Sequence, residues 1–342
     1  MKSLVAIVLL FGLFGCSEAR KSHQYQEVTV ETIYTEQISI RALEVMDGSV
    51  AFGANNGLFG AIDIRSHQIK TNRETYDTIA PEFRAVGHTA TDFFMLSAGR
   101  PALLYKTGDD GQMELVYKED VAGVFYDAMK FWNNEEGIAV GDAMNGCLSI
   151  IITIDGGASW NKLACSALPP ALEGEGAFAA SNTNIDIVGD KTWIGTTQSR
   201  VFYSPDKGAT WEVIQTPIIH NEVTEGIYSI DFATKNLGFA VGGDYTNPEN
   251  TTANKAITRD GGKSWELIAN EQLPGYKSCV QFVPNSGGND IVLVGFTGIS
   301  YSGDMGLTWK EFSGESFYTL RFVNDSIAYA AGKNRIAKLT FK

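Results

Sequence analysis

The sequence predicts an all-β protein, a single closed ring of four-stranded antiparallel units, and three observations carry that expectation. A pattern Ser/Thr-x-Asp-x-Gly-x-Ser/Thr-Trp recurs along the chain, with a spacing of roughly 45 to 55 residues, the range of ring and solenoid repeats. An apolar strand ending in glycine precedes each copy, as in Gly137–Gly141, Gly238–Gly242 and Ile291–Gly295. Glycine supplies 36 of the 342 residues, proline only 9, and aromatic residues make up 11%, which suits many turns around packed strands.

The pattern itself reads as a hairpin turn. Its complete copies centre on Asp155, Asp206, Asp260 and Asp304, and carry Trp160, Trp211, Trp265 and Trp309. The carboxylate can accept backbone N–H groups across the turn, and the glycine can adopt the positive φ that a side chain resists. These aspartates are therefore expected to be structural. A decayed copy lies at Thr107-Gly-Asp109-Asp-Gly111 and a weaker echo at Asp63. Each unit reads as strand, apolar strand ending in Gly, strand, box hairpin, strand. First strands are expected near Arg41, Arg84, Asp127, Ala177, Tyr228, Ser278 and Tyr318. That count predicts a seven-bladed β-propeller, or six blades if the first unit is irregular. The last unit lacks a box, and the alternating stretch Val28 to Tyr34 is expected to supply its outer strand and close the ring.

Composition excludes several classes. The net charge of −13 opposes nonspecific nucleic-acid binding, which depends on Lys and Arg displacing phosphate counterions. Apolar content of 44% is too high for an acidic disordered chain. No metal or cofactor is expected. The four histidines, His23, His67, His88 and His220, lack metal-ligand spacing. The chain also shows no dinucleotide-binding glycine loop, Cys-x-x-Cys-His segment or nucleophile elbow.

The N-terminus reads as an address. Lys2, the apolar run Leu4 to Phe14, then Gly15 and Cys16 are too short to span a bilayer. Leu13-Phe14-Gly15-Cys16 resembles the bacterial lipoprotein signal, which implies lipidation of Cys16 and anchoring in the cell envelope, at the outer membrane or periplasmic face. The expected organisation is a signal peptide over residues 1–15, the lipidated Cys16 with a polar tether to residue 26, and the propeller over 27–342. Export permits a disulfide. Cys147 and Cys165 flank one box hairpin symmetrically and are the expected pair, with Cys279 left over as a buried thiol.

The boxes resemble the Asp boxes, or BNR repeats, of sialidases, xyloglucan-hydrolysing glycosidases, sortilin-type receptors and the photosystem II stability/assembly factor family. The phrases Phe131–Gly141 and Phe232–Gly242, each leading into a box, are most similar to the last of these. The resemblance implies a propeller scaffold and no photosynthetic role. First strands of a propeller begin at the channel, so their first residues converge on one mouth. Arg41, Arg84, Asp127 and Tyr228, with Glu173 and Glu175 just before the fourth unit, are the candidate mouth residues. The sialidase resemblance implies a further arginine, for which Arg100 and Arg200 are candidates, and a Glu–Tyr pair. Two carboxylate pairs, Asp127 with Glu175 and Asp142 with Asp244, are the corresponding glycosidase candidates, although Asp142 and Asp244 each follow the glycine turn after a second strand, so a turn role is the favoured reading for that pair. The Arg-Ile-Pro motif of sialidases is missing, because Arg41 is followed by Ala42-Leu43. The expected function is a membrane-anchored scaffold that binds an envelope protein or glycan. The alternative is a glycan-active hydrolase with its site at the same mouth.

Overall fold

The computed structural model describes residues 22–342; the expected signal peptide and Cys16 lie outside the described residues. Strands β1 (Val28–Met46), β2 (Ser49–Ala54), β3 (Leu58–Asp63) and β4 (Ile69–Arg73) run in antiparallel order. Separate four-stranded sheets follow. The first holds β5 (Phe83–His88), β6 (Phe93–Ser97), β7 (Ala102–Thr107) and β8 (Met113–Glu119). The next comprises β9 (Tyr126–Phe131), β10 (Gly137–Met144), β11 (Cys147–Thr153) and β12 (Asn161–Lys162). After it come β13 (Ile185–Val188), β14 (Lys191–Gly195), β15 (Arg200–Ser204) and β16 (Glu212–Gln215). Another contains β17 (Ile227–Phe232), β18 (Gly238–Gly242), β19 (Lys255–Thr258) and β20 (Glu266–Leu267). The last separate sheet is β21 (Cys279–Phe282), β22 (Ile291–Gly295), β23 (Gly298–Ser302) and β24 (Lys310–Ser313). Finally β25 (Thr319–Phe322) and β26 (Ile327–Phe341) join β1–β4 in one six-stranded sheet.

The molecule is thus an all-β propeller with six hydrogen-bonded sheets, which corrects the count of seven separate blades to the alternative of six. The reason is β1. Its first half pairs with β26, from Val28 with Phe341 to Ser39 with Lys333, and its second half pairs with β2. One continuous strand therefore joins the first and last units. The 15-residue β26 would span about 50 Å if extended, yet Phe341 N–H donates to Ser326 O at 2.8 Å. It is a hairpin turned at Asn334, where φ is +65°. The six-stranded sheet consequently contributes two innermost strands, β25 and β1. They pack into a ring with β5, β9, β13, β17 and β21, so that seven inner strands surround the axis. Closure through Val28 to Thr35 leaves no free edge at the join.

The core lies between successive sheets, and the boxes stitch it. Asp155 accepts from Thr153 Oγ1 at 2.8 Å and from Ser159 N at 2.9 Å, while Ser159 Oγ donates to it at 2.6 Å. The same bonds recur at Asp206, Asp260 and Asp304. At Asp155 the Ser159 hydrogen bonds hold the carboxyl below its ordinary value. At the other three, burial pushes upward but the hydrogen bonds outweigh it. Each box rests on the preceding sheet. Gly262, at φ +85°, lies so close to it that a Cβ would sit 2.7 Å from Trp193 Nε1. Gly262→Ala is expected to cost about 3 kcal/mol, from overpacking and positive-φ strain, measured as a lowered denaturant midpoint.

A disulfide joins Cys147 and Cys165, with Cα atoms 5.4 Å apart, and Cys279 is a buried free thiol. The end of the expected tether is docked against the last separate sheet. Ser22 Oγ and His23 N donate to Asp290 at 2.6 and 2.9 Å, and Tyr25 is buried. Among the described residues no helix is long and apolar enough to cross a membrane.

Candidate functional site

The register of the inner strands explains which side chains reach the channel. Along β1, Ile40 pairs with Ala54 and Ala42 with Gly53, so Arg41 is an extra, bulged residue. Arg84 occupies the same place in β5, Asp127 in β9 and Tyr228 in β17. A bulge bends the strand and re-aims its side chain. The repeated bulge turns these residues from sheet to channel.

Arg41, Arg84 and Tyr228 meet at one mouth, in a cavity of about 310 Å³ walled by Phe178, Tyr245, Tyr276, Phe296 and Tyr318. The rings interlock. Phe178 stacks on Tyr228 with centroids 3.7 Å apart, and Tyr276 meets Tyr228 edge-on at 4.8 Å. The Tyr228 hydroxyl is committed to Thr224 O at 2.7 Å, so this residue presents its ring and not a nucleophile.

The two arginines differ. Arg84 is occupied: it pairs with Glu82 at 2.6 Å and donates to Ala179 O at 2.9 Å. Arg41 lies over the Tyr318 ring, 4.1 Å from its centroid, and its guanidinium makes no hydrogen bond or ion pair among the described residues; its Nε is buried and unpartnered. Burial, followed by the Arg84 charge, lowers its pKa. The residue as a whole is half-buried: only Nε is shut off, and the Nη groups remain accessible from the mouth. A planar guanidinium with free donors is suited to a carboxylate or similar oxyanion.

The remaining candidates do not line this cavity. Asp127 sits in the equivalent bulge but is completely buried, and neither carboxylate oxygen has a hydrogen-bond partner. Burial and then the neighbouring Asp142 push its pKa well up, which favours the neutral acid. Glu175 is buried against Arg200, which donates from Nε at 2.9 Å, and Thr196 Oγ1 also donates to it at 2.7 Å. Glu173 is exposed. Arg200 is therefore consumed, and Arg100 pairs with Asp120 at 2.7 Å on the surface. Asp244 holds a turn, accepting from Thr246 N and Oγ1 at 2.8 and 2.7 Å. The mouth gathers two arginines and no Glu–Tyr pair. Among the described residues no group of three or more His, Cys, Asp or Glu could hold a metal ion.

Asp142 accepts from Ala177 N at 3.2 Å, and burial pushes its pKa to about 6. A carboxyl raised above its unfolded value near 3.9 loses stability as pH climbs between the two values. Asp142→Asn keeps the acceptor and removes the charge. It is expected to raise stability at pH 7 by about 2 kcal/mol and to have no effect below pH ~4, as read from urea midpoints across pH.

The floor of the cavity was not foreseen. The sequence expectation places a small-residue strand at Ala177 to Ala180, whereas the inner strand begins only at Ile185. Residues 177–184 instead cross the channel as a plug. Asn182 accepts from Met129 N at 3.0 Å in β9 and donates to Val86 O at 2.8 Å in β5. Ser181 Oγ donates to Ser278 O at 2.7 Å, and Ser181 O accepts from Thr319 Oγ1 at 2.8 Å. Thr183 O accepts from Ile230 N at 2.8 Å in β17. Side chains and carbonyls of this segment thus bond to strands all round the ring, which no ladder could supply. Small residues are needed here; a Cβ at Gly176 would overlap Asp142. Below the plug, Arg321 reaches Glu44 at 3.1 Å and Asn182 O at 3.2 Å, and Lys130 pairs with Asp186.

Tyr276 and Tyr318 were also missed as site residues. They precede β21 and β25 by one to three positions, so the rule that found Arg41 and Arg84 would have found them. Tyr245 and Phe296 sit on loops, where no strand-based rule reaches.

No family model matches the chain, and no curated protein does. Its fold is shared with solved structures. "YCF48 bound to D1 peptide" is 14% identical, with a TM-score of 0.66 over 94% of this chain and 98% of that one. "YCF48 from Cyanidioschyzon merolae" is 11% identical, with a TM-score of 0.62 over 92% and 98%. "Crystal structure of RRP9 WD40 repeats" is 9% identical, with a TM-score of 0.66 over 93% and 100%. At these identities the likeness defines the class, a β-propeller, and nothing narrower.

Proposed function

We propose that this protein is an exported, membrane-anchored scaffold that holds a polypeptide partner at the aromatic mouth through an anionic group of that partner. The observation that carries the reading is the Arg41 guanidinium, half-buried over Tyr318 with no hydrogen-bond or ion-pair partner among the described residues. Aromatic walls beside it suit an apolar or aromatic side chain next to the anion. One of the similar structures is described as bound to a peptide, which supports a polypeptide over a glycan. The absence of a third arginine and of a Glu–Tyr pair at the mouth supports binding over sialoside hydrolysis.

The test uses short peptides ending in an aromatic residue, with a free C-terminal carboxylate or an amide, titrated by fluorescence anisotropy. The free acids are expected to bind at least about tenfold more tightly than the amides, the share of one charge-assisted hydrogen-bond pair. Equal affinities would rule the reading out. The anchor is tested separately. Cys16→Ala is expected to abolish metabolic lipid labelling and release the protein from envelope membranes, since the acyl chains supply the membrane affinity.

A further inference from the structure

A second cavity lies away from the mouth, in the groove between the β1–β4 unit and the β5–β8 sheet. It encloses about 470 Å³, and Met46, Ala51, Phe59, Phe93 and Met113 give it apolar walls. That volume is in the range of ligand clefts. It marks the place where the repeat has lost its own filling.

Elsewhere the box between two outer strands rests on the preceding sheet and wedges a tryptophan into the join. Trp160 contacts Phe94 and Phe131 with centroids 6.3 and 5.8 Å apart, Trp265 meets Phe232 at 6.0 Å, and Trp309 meets Phe239 at 5.9 Å. A Cβ on the box glycine would strike that sheet at Gly157 and Gly306, and would come within 2.9 Å of Ile152 at Gly208. The decayed box between β7 and β8 behaves differently. A Cβ at Gly111 would meet nothing within 4 Å. Glu114 stands where the tryptophan belongs, and it is exposed. The facing unit offers Ser49, Ala51, Gly60 and Ala61, where neighbouring sheets present Phe94, Trp193 or Phe239. Both the ring and its platform are missing, which leaves an open apolar slot of the kind that this fold fills with indole in its intact repeats.

We infer that this groove is a second binding site, which receives an aromatic side chain, indole above all, from a partner polypeptide. The rim argues for a polypeptide. Strand β4 ends its sheet, so one row of its backbone groups is unpaired, and its residues Lys70, Thr71 and Asn72 border the groove. An extended chain can add to such an edge and place alternate side chains in the slot.

The probe is N-acetyl-tryptophanamide, with free indole beside it, added to protein carrying 13C-methyl methionine. Ring currents are expected to shift the Met46 and Met113 methyls saturably, whereas Met305, within the intact box at Asp304, stays in place. Rebuilding the box with Met113→Thr and Glu114→Trp is expected to weaken binding at least about tenfold. Thr71→Trp, at an exposed edge position, is expected to do the same from the other rim. Absence of the Met46 and Met113 shifts up to the solubility limit overturns the site. So does an undiminished shift in either filled variant. Binding of indole without N-acetyl-tryptophanamide overturns the polypeptide as its source.

Discussion

Arg41→Met is expected to remove most of the affinity of the mouth for a carboxylate while changing the stability of the fold by less than about 1 kcal/mol. Hydrogen bonds between charged groups contribute about 1.5–3 kcal/mol each, so loss of the guanidinium should raise Kd by roughly 10- to 100-fold. The stability half follows from the same geometry. In the free protein the cation is half-buried over Tyr318, has no anion, and feels the Arg84 charge, so its loss gives up one cation–π contact of about 0.5–1 kcal/mol and relieves the repulsion from Arg84. Methionine retains much of the apolar stem and packs well on aromatic rings. Arg84→Met serves as the contrast. It breaks the Glu82 pair and the bond to Ala179 O that clamps the plug, so binding and stability should fall together. Isothermal titration beside a denaturant curve separates the two cases.

Arg321→Met is expected to be the most damaging single change to the fold. This side chain is 7% exposed. It donates to Glu44 Oε1, to Thr319 Oγ1, to Leu320 O and to Asn182 O. Removal leaves Glu44 without its ion-pair partner, held among the described residues only by Asn182 Nδ2, and loosens the plug. Breaking a buried pair in this way costs about 3–5 kcal/mol, seen as a fall in the guanidinium midpoint. Asn182→Leu removes a plug side chain that reaches β1, β5 and β9. Since the plug carries Phe178 and Ala180 into the cavity wall, either change should also weaken binding at the mouth.

Legibility in the sequence followed the range of the interactions. The boxes were readable because Asp260, Gly262, Ser264 and Trp265 act within one turn, and each residue type has a local reason. Arg41, Arg84 and Tyr228 were readable because a repeat places first-strand residues at one end of a channel. Asp127 shared that position but not that environment: its neighbours Asp142 and the plug come from elsewhere in the chain. The plug was misread because Ala177 to Ala180 has the composition of a buried strand, and the bonds of Asn182 to Val86 and Met129 have no sequence signature. The blade count resolved to the six-blade alternative at β1 for a related reason. A strand that leaves one unit and enters the next looks, residue by residue, like two strands.

Arg41 is proposed to bind an anion at the aromatic mouth. The most direct measurement is the 15N–1H signal of its Nε–H while benzoate, then benzamide, is added. That donor is buried and unpaired, so it reports on binding at the accessible Nη groups of the same guanidinium. Benzoate is expected to move it downfield and slow its exchange, with benzamide leaving it unchanged and Arg84→Met retaining a weakened response. An Arg41 signal that ignores benzoate, or that answers benzamide equally, would contradict the account.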